Sequence, residues 1–304
     1  MSGHVPVMLA DVLKLLAPKD GEHYVDGTFG GGGYSRAILE AADCRVLGID
    51  RDPDAIARGQ TLVEHFAGRL TLVHGEYSRL QTYLGGAKTN GVVLDLGVSS
   101  FQFDEPARGF SFRESGPLDM RMSREGESAA DFVNRADERT LADVIHRLGE
   151  ERNARRIARA IVAKRPVTTT GRLAEIVSEA QGPAAARLPI HPATRTFQAL
   201  RIYVNDELGE LERGLEAAEA ALAPHGRLVV VAFHSLEDRI VKRFLAARSA
   251  AAPRASRHAP DARRAHKPAF RLVTKSPLAP DETEVEGNPR ARSARLRAAE
   301  RLAA

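Results

Sequence analysis

The run Asp26-Gly27-Thr28-Phe29-Gly30-Gly31-Gly32-Gly33, which follows Tyr24-Val25, is the densest chemistry-bearing pattern in the chain. Glycines there let the backbone turn tightly and approach a ligand closely. The helix expected next offers unpaired N–H groups at its start. A second acid, Asp50, closes the run RVLGID, 17 residues after Gly33. A carboxylate at the end of that strand can accept hydrogen bonds from both hydroxyls of a ribose. The pair points to a nucleoside-type cofactor, and the bland alternative is a flexible turn with a surface Asp. The glycine spacing is not G-x-G-x-x-G, which disfavours a dinucleotide and hence an NAD-dependent oxidoreductase. No GxxxxGK[ST] is present, so a P-loop is excluded.

In S-adenosylmethionine enzymes an acid just ahead of the glycines often faces the methionine part of the cofactor, and Asp26 is placed for that. That cofactor has no phosphates, and the loop has no Lys. Leu94-Asp95-Leu96-Gly97-Val98-Ser99-Ser100 follows the strand-like run VVLDL. Open α/β sheets hold ligands at such carboxyl ends. Methyltransferases acting on exocyclic amines often carry an acid or amide, Pro-Pro and an aromatic there. Asp95 supplies the acid, but Leu-Gly replaces Pro-Pro, and an Asp in a turn can also serve only its own backbone. His234 follows the run LVVVAF and is a candidate substrate contact. Ser235, Glu237 and Asp238 beside it read as a helix start.

These residues need a sheet to hold them. Over the first hundred residues, short β-rich runs alternate with helical patterns, which implies a parallel sheet covered by helices. From about residue 104 the pattern becomes helical. Ser128 with Asp131 resembles a capping box. Leu141, Val144, Ile145 and Leu148 form one stripe. Leu173, Ile176, Val177 and Ala180 form another, and Phe197, Leu200, Val204, Leu208 and Leu211 keep the same spacing. Pro224-His225-Gly226 then turns the chain into a buried strand, Leu228 to Phe233. The expectation is an α/β, Rossmann-like domain in two pieces, 1–103 and 206–304, with a parallel-rich sheet interrupted by a helical insertion at 104–205.

The chain has 304 residues, 43% of them hydrophobic, and a net charge of +4. The excess permits a polyanionic partner without requiring one. Residues 251–268 and 289–304 each hold five Arg/Lys and one acid, and both read as basic segments able to grip phosphates. Arg152, Arg155, Arg156 and Arg159 make a basic run that is either a solvated face or a contact for a polyanion. The single cysteine, Cys44, excludes an intrachain disulfide. No metal-ligand set is evident. No apolar run approaches the roughly 18 residues of a membrane span, and no signal-peptide pattern opens the chain. A cytoplasmic protein without membrane contact is expected.

The segments DGTFGGGGYSRAIL, IDRDPDAIA, LDLGVSS, RGFSF, GPLDMRM, GEERNARRIARAIV, HPATRTFQALRIYVNDEL, FHSLEDRIVKRF and NPRARSARLR run nearly end to end. The sequence resembles the bacterial ribosomal RNA small-subunit methyltransferase H family, also called MraW. That resemblance implies a class I methyltransferase fold with an inserted helical domain. It implies N4-methylation of a cytidine in the decoding region of 16S rRNA, with S-adenosyl-L-methionine as cofactor and the small ribosomal subunit as partner. It implies cofactor contacts at Gly32, Gly33, Tyr34, Asp50, Tyr77, Asp95 and Gln102. Asp95 is the candidate catalytic acceptor, and Arg195, Asn205 and His234 are candidate substrate contacts. Tyr34 stands where many members have His, and Phe101 where Pro is common before Gln102. A homodimer is compatible with the resemblance. The competing readings are a methyltransferase for DNA or a small molecule and a non-catalytic RNA-binding assembly protein.

Overall fold

A computed structural model of the chain describes residues 6–182, 190–249 and 267–303. Two compact units are present, one of residues 1–97 with 209–304 and one of residues 98–208. Residues 251–266 of the first basic segment lie outside the described residues.

The first unit opens with α1 (Leu9–Leu16), β1 (His23–Asp26), α2 (Gly33–Ala41), β2 (Arg45–Asp50), α3 (Pro53–His65), β3 (Leu70–His74), α4 (Leu80–Tyr83) and β4 (Thr89–Asp95). In the second unit lie α5 (Ser100–Asp104), α6 (Ala129–Arg135), α7 (Glu138–Gly149), α8 (Ala154–Ala163), α9 (Thr170–Gln181) and α10 (Thr194–Val204). Then follow α11 (Glu207–Ala221), β5 (Leu222–Ala232), α12 (Ser235–Ser249), β6 (Phe270–Leu272), α13 (Glu282–Gly287) and β7 (Arg295–Arg301).

The strands form one sheet in the order β3-β2-β1-β4-β5-β7-β6. All neighbours up to β5 are parallel, while β7 is antiparallel to β5 and to β6. This is the parallel-rich, Rossmann-like sheet that the alternation of strands and helices predicts. Strand order reverses between β1 and β4, which is where open α/β sheets leave a crevice for ligands. β1, β2 and β4 each open on a polar residue, turn apolar and end in a carboxylate: Asp26, Asp50 and Asp95.

Two details differ from the sequence reading. Pro224-His225-Gly226 does not precede the strand but lies inside β5. There Thr89 pairs with Leu222 and Gly91 with Arg227, so β5 bulges by several residues, with His225 at φ 67°. Breakers at an irregular pairing bend a strand without ending it. The C-terminal basic segment, read as a phosphate grip, places its second half in the sheet as β7. Leu296, Ala298 and Ala299 of β7 are fully buried. Arg297 forks onto Asp238 at 2.7 and 3.0 Å. Glu300 of the same strand accepts from Arg271 at 2.9 Å and lies 3.7 Å from Arg227. Three arginines of this segment remain exposed, Arg290, Arg292 and Arg295.

The second unit packs its own core, in which Leu141, Val144, Ile145, Leu173, Ile176, Val177, Phe197 and Leu200 are buried. Ser128 and Asp131 form the reciprocal capping box, each backbone N–H bonded to the other side chain. The apolar spacing from Phe197 to Leu211 is split over two helices. α10 ends at Val204 and Asp206 takes φ 46° before α11 begins, a left-handed value that halts the helical rise.

Candidate active site

At the sheet's reversal the loop after β1 wraps back toward β2. The Gly30 N–H donates to Asp50 Oδ2 at 2.7 Å, and the Asp52 N–H donates to Asp50 Oδ1 at 2.8 Å. Gly32 caps α2 at φ 74°. A Cβ there would lie 2.7 Å from Phe29 and 2.8 Å from Leu62. At Gly33 a Cβ would lie 2.2 Å from Pro6. Both glycines are thus required by a positive φ or by close approach.

Asp26 is fully buried. Its Oδ2 accepts from Ser35 at 2.7 Å and its Oδ1 from the Thr28 N–H at 3.3 Å. Burial pushes its carboxyl up to about 6, against these hydrogen bonds. Burial also lifts Asp50 to about 6, although its two backbone bonds pull the other way. Asp95 is held by its backbone N–H, which donates to Thr28 Oγ1 at 2.7 Å. Its Oδ1 is shut off from solvent and has no hydrogen-bond partner among the described residues. Burial, with Asp26 and Glu237 nearby, holds this carboxyl well above the usual range. A buried acceptor without a donor is costly, so this oxygen is shaped for a donor that a ligand brings.

Tyr34 is buried at 4% exposure and donates its hydroxyl to the Val7 carbonyl. Its side chain therefore anchors the segment ahead of α1, and only its backbone faces the Gly loop. The Tyr77 ring lies over Gly27 and against Gly214 of α11, where a Cβ would sit 2.1 Å from the ring. His234 leaves β5 beside Glu237, whose Oε2 accepts from Phe233 N–H at 2.8 Å and His234 N–H at 3.2 Å. His234 Nε2 lies 3.1 Å from Glu237 Oε1, an ion-pair distance without hydrogen-bond alignment.

The first unit thus brings together Gly32, Gly33, Tyr34, Asp50, Tyr77, Asp95 and His234. Gln102, Arg195 and Asn205 belong to the second unit. Gln102 forms a capping box with Ser99: its Oε1 accepts the Ser99 N–H at 3.1 Å. Arg195 is exposed and donates to the Glu150 carbonyl at 3.2 Å. Asn205, 3% exposed, accepts from Met122 N–H at 2.8 Å and donates to the Met120 and Arg201 carbonyls at 2.7 and 2.9 Å. Its amide holds the GPLDMRM loop in place. Arg201 forks onto Glu207 with both bonds at 2.8 Å. Asn205→Ala leaves a buried N–H and a buried carbonyl unpaired and should cost about 2–4 kcal/mol of stability. Denaturant unfolding measures this, and a loss under about 0.5 kcal/mol would contradict the assigned role.

Several residues of the site were not legible in the sequence. Thr28 and Ser35 sit within the motif but became visible only through their hydrogen bonds to Asp95 and Asp26. Glu237, read as an acid at a helix start, does cap that start, yet it is 2% exposed and raises Asp95. Gly214 has no sequence signal, because it matters only where the Tyr77 ring crosses α11.

The sequence matches the family described as MraW methylase family over residues 1–302. It is 62% identical over 304 residues to "Ribosomal RNA small subunit methyltransferase H" of Xanthobacter autotrophicus, covering 98% of this chain and 87% of the relative. It is 59% identical over 309 residues to the protein of the same name from Parvibaculum lavamentivorans, covering 100% and 91%. Among solved structures it is similar to an rRNA methylase from Streptococcus thermophilus, with TM-score 0.45 and 10% identity over 99% of this chain and 100% of the other. Among the described residues no helix is long and apolar enough to cross a membrane.

Proposed function

The chain belongs to the MraW methylase family, and from that premise we propose that it N4-methylates a cytidine in the decoding region of 16S rRNA within the small ribosomal subunit. The observation that carries the chemistry is Asp95 Oδ1, a buried acceptor that lacks a donor at the sheet's reversal. S-adenosyl-L-methionine supplies, when bound, a methyl group activated by its sulfonium. The residues present fit that cofactor. Asp50 is placed to accept from ribose hydroxyls. The backbone of Gly32, Gly33 and Tyr34 approaches closely because no side chain intervenes. The Tyr77 ring offers an apolar face for an adenine.

Cytosine N4 is a weak nucleophile because its lone pair is delocalised into the ring. Asp95, once ionised, would accept a hydrogen bond from that amine, favour its pyramidal form and take the proton as the N–C bond forms and the methyl group's bond to sulfur breaks, leaving a neutral thioether. The enzyme otherwise positions the acceptor and excludes water. The base must leave its stack to reach the sheet end, at a cost of roughly a few kcal/mol. His234, beside Asp95's neighbour Glu237, is the substrate-side contact on this unit. The second unit holds the RNA, with Arg195 on its exposed face. A homodimer is compatible with this reading, and so is a cytoplasmic location.

The test is nucleoside mass spectrometry of rRNA from a strain lacking the protein, paired with labelled methyl transfer to small subunits by the purified chain. One N4-methyl mark in 16S rRNA should disappear in the first and appear in the second. If the chain binds subunits but transfers no methyl group, it is a non-catalytic assembly protein.

A further inference from the structure

We propose that the end of the helical unit where α7 stops and α8 begins grips the phosphate backbone of the RNA substrate through Arg152, Arg155 and Arg156, with Arg195 beside them. This rests on the reading of RNA as the substrate and assigns the surface that holds it.

Several arginines elsewhere on this unit are ion-paired, and so is Arg159 of the same run, with Glu138 at 3.5 Å, whereas Arg113 and Arg139 are exposed singly and away from the patch in sequence. Arg121 pairs with Asp119 at 2.7 Å, Arg147 with Asp143 at 2.9 Å, Arg172 with Glu175 at 3.2 Å and Arg201 with Glu207 at 2.8 Å. Arg152, Arg155 and Arg156 are all exposed, and none makes an ion pair among the described residues. The neighbouring Glu151 does not offset them. It is buried at 5% exposure and turned inward, accepting from the Asn153 N–H at 2.8 Å and from Gln181 at 3.4 Å.

Their position does not serve the helix either. Arg155 and Arg156 fall in the first turn of α8, which has no acid there, and Asn153 gives it no side-chain cap. Cations at that end oppose the helix dipole, whose N-terminus is already positive. The buried face of α8, with Ala154, Ile157, Ala158 and Ile161, already secures packing. Three arginines kept unpaired and against the dipole are costly for folding alone, and a polyanion removes the cost. Arg195 joins the patch from α10, since its guanidinium reaches the Glu150 carbonyl and its backbone lies against Gly149. Guanidinium groups fork onto phosphate oxygens. Contacts of this type hold RNA without reading its bases.

The experiment uses the full chain with Arg152→Gln, Arg155→Gln and Arg156→Gln combined, titrated against small ribosomal subunits across a salt series. A control chain carries Arg147→Gln and Arg172→Gln, which remove paired charges elsewhere on the unit. At 0.15 M salt the triple variant should bind on the order of tenfold or more weakly, and its log–log salt slope should flatten by roughly 2. The loss should fall on KM for the RNA more than on kcat, and the matching triple Lys variant should recover much of the affinity. Circular dichroism and calorimetric affinity for S-adenosylmethionine report folding separately. If the triple Gln variant keeps wild-type affinity and slope, or changes no more than the control chain, the surface is idle and the proposal fails. If the wild-type chain itself neither binds nor methylates the RNA, the parent reading has failed, a result visible before any variant is compared.

Discussion

Asp95→Asn should lower the rate of methyl transfer by about 10²–10⁴, the range typical of a positioned proton acceptor. Asparagine keeps the shape and one acceptor oxygen but cannot take the proton from an exocyclic amine. The backbone of residue 95 stays anchored through its N–H to Thr28, so the loop should not move. Affinity for the cofactor should change only a few-fold, measured by calorimetry. If affinity falls as steeply as rate, Asp95 holds the cofactor and the acceptor role is wrong. The pH profile gives an independent reading. Burial beside Asp26 and Glu237 favours the protonated form of Asp95. Activity that needs its carboxylate must rise with pH, through a range above that of an ordinary Asp. A cation bound beside it shifts the limb back toward acid. The limb should be absent from the residual activity of the Asn variant, and a limb that persists unchanged assigns the titration to another group.

The parts legible in the sequence are those fixed by local chemistry. Asp26, Asp50 and Asp95 end apolar runs that can only be central parallel strands, so their placement at one sheet edge follows from pattern and period. The capping box at Ser128 and Asp131 is likewise a spacing rule. β7 was hidden because its apolar face consists of one Leu and small alanines, and its charges are satisfied only within the sheet: Arg297 by Asp238, and Glu300 by Arg271. A run of arginines looks the same whether its partners are protein carboxylates or phosphates. Pro224-Gly226 misled for a related reason, since a turn signal cannot say whether the partner strand resumes pairing beyond it.

The site was legible in its residue types and not in its energetics. Asp95 stands out because donors are missing around Oδ1, and an absence has no motif. Asn205 lies in a long polar-decorated segment, and its hydrogen bonds to Met120, Met122 and Arg201 exist only once the loop folds back on α10. In the same segment, the stripe that ran past Asn205 concealed the helix break at Asp206.

For Asp50→Ala, loss of the ribose acceptor should weaken cofactor binding by about 1–3 kcal/mol, roughly five- to 150-fold in Kd. The wild-type affinity should also depend on pH in a way the variant does not share. Asp50 lies at about 6 in the folded chain against an ordinary 3.8. Ribose hydroxyls donate best to the ionised form, so wild-type affinity should improve as pH rises through 6, with a proton released on binding below that. Stability runs the opposite way. A carboxyl raised on folding binds more protons in the native state, so its contribution is complete below the unfolded value near 3.8 and is lost as pH rises through about 6. Removing Asp50 removes that loss. The stability of the variant minus that of the wild type should therefore grow more favourable to the variant between pH 4 and 7, by about 3 kcal/mol at most. The Gly30 and Asp52 N–H groups lose their acceptor at every pH, which offsets the curves without tilting them. Denaturant unfolding of the two chains without cofactor at pH 4, 5, 6 and 7 gives the difference directly. Parallel curves would mean that Asp50 is already ionised across this range, and that its carboxylate is stabilised by the Gly30 and Asp52 amides before any ligand arrives.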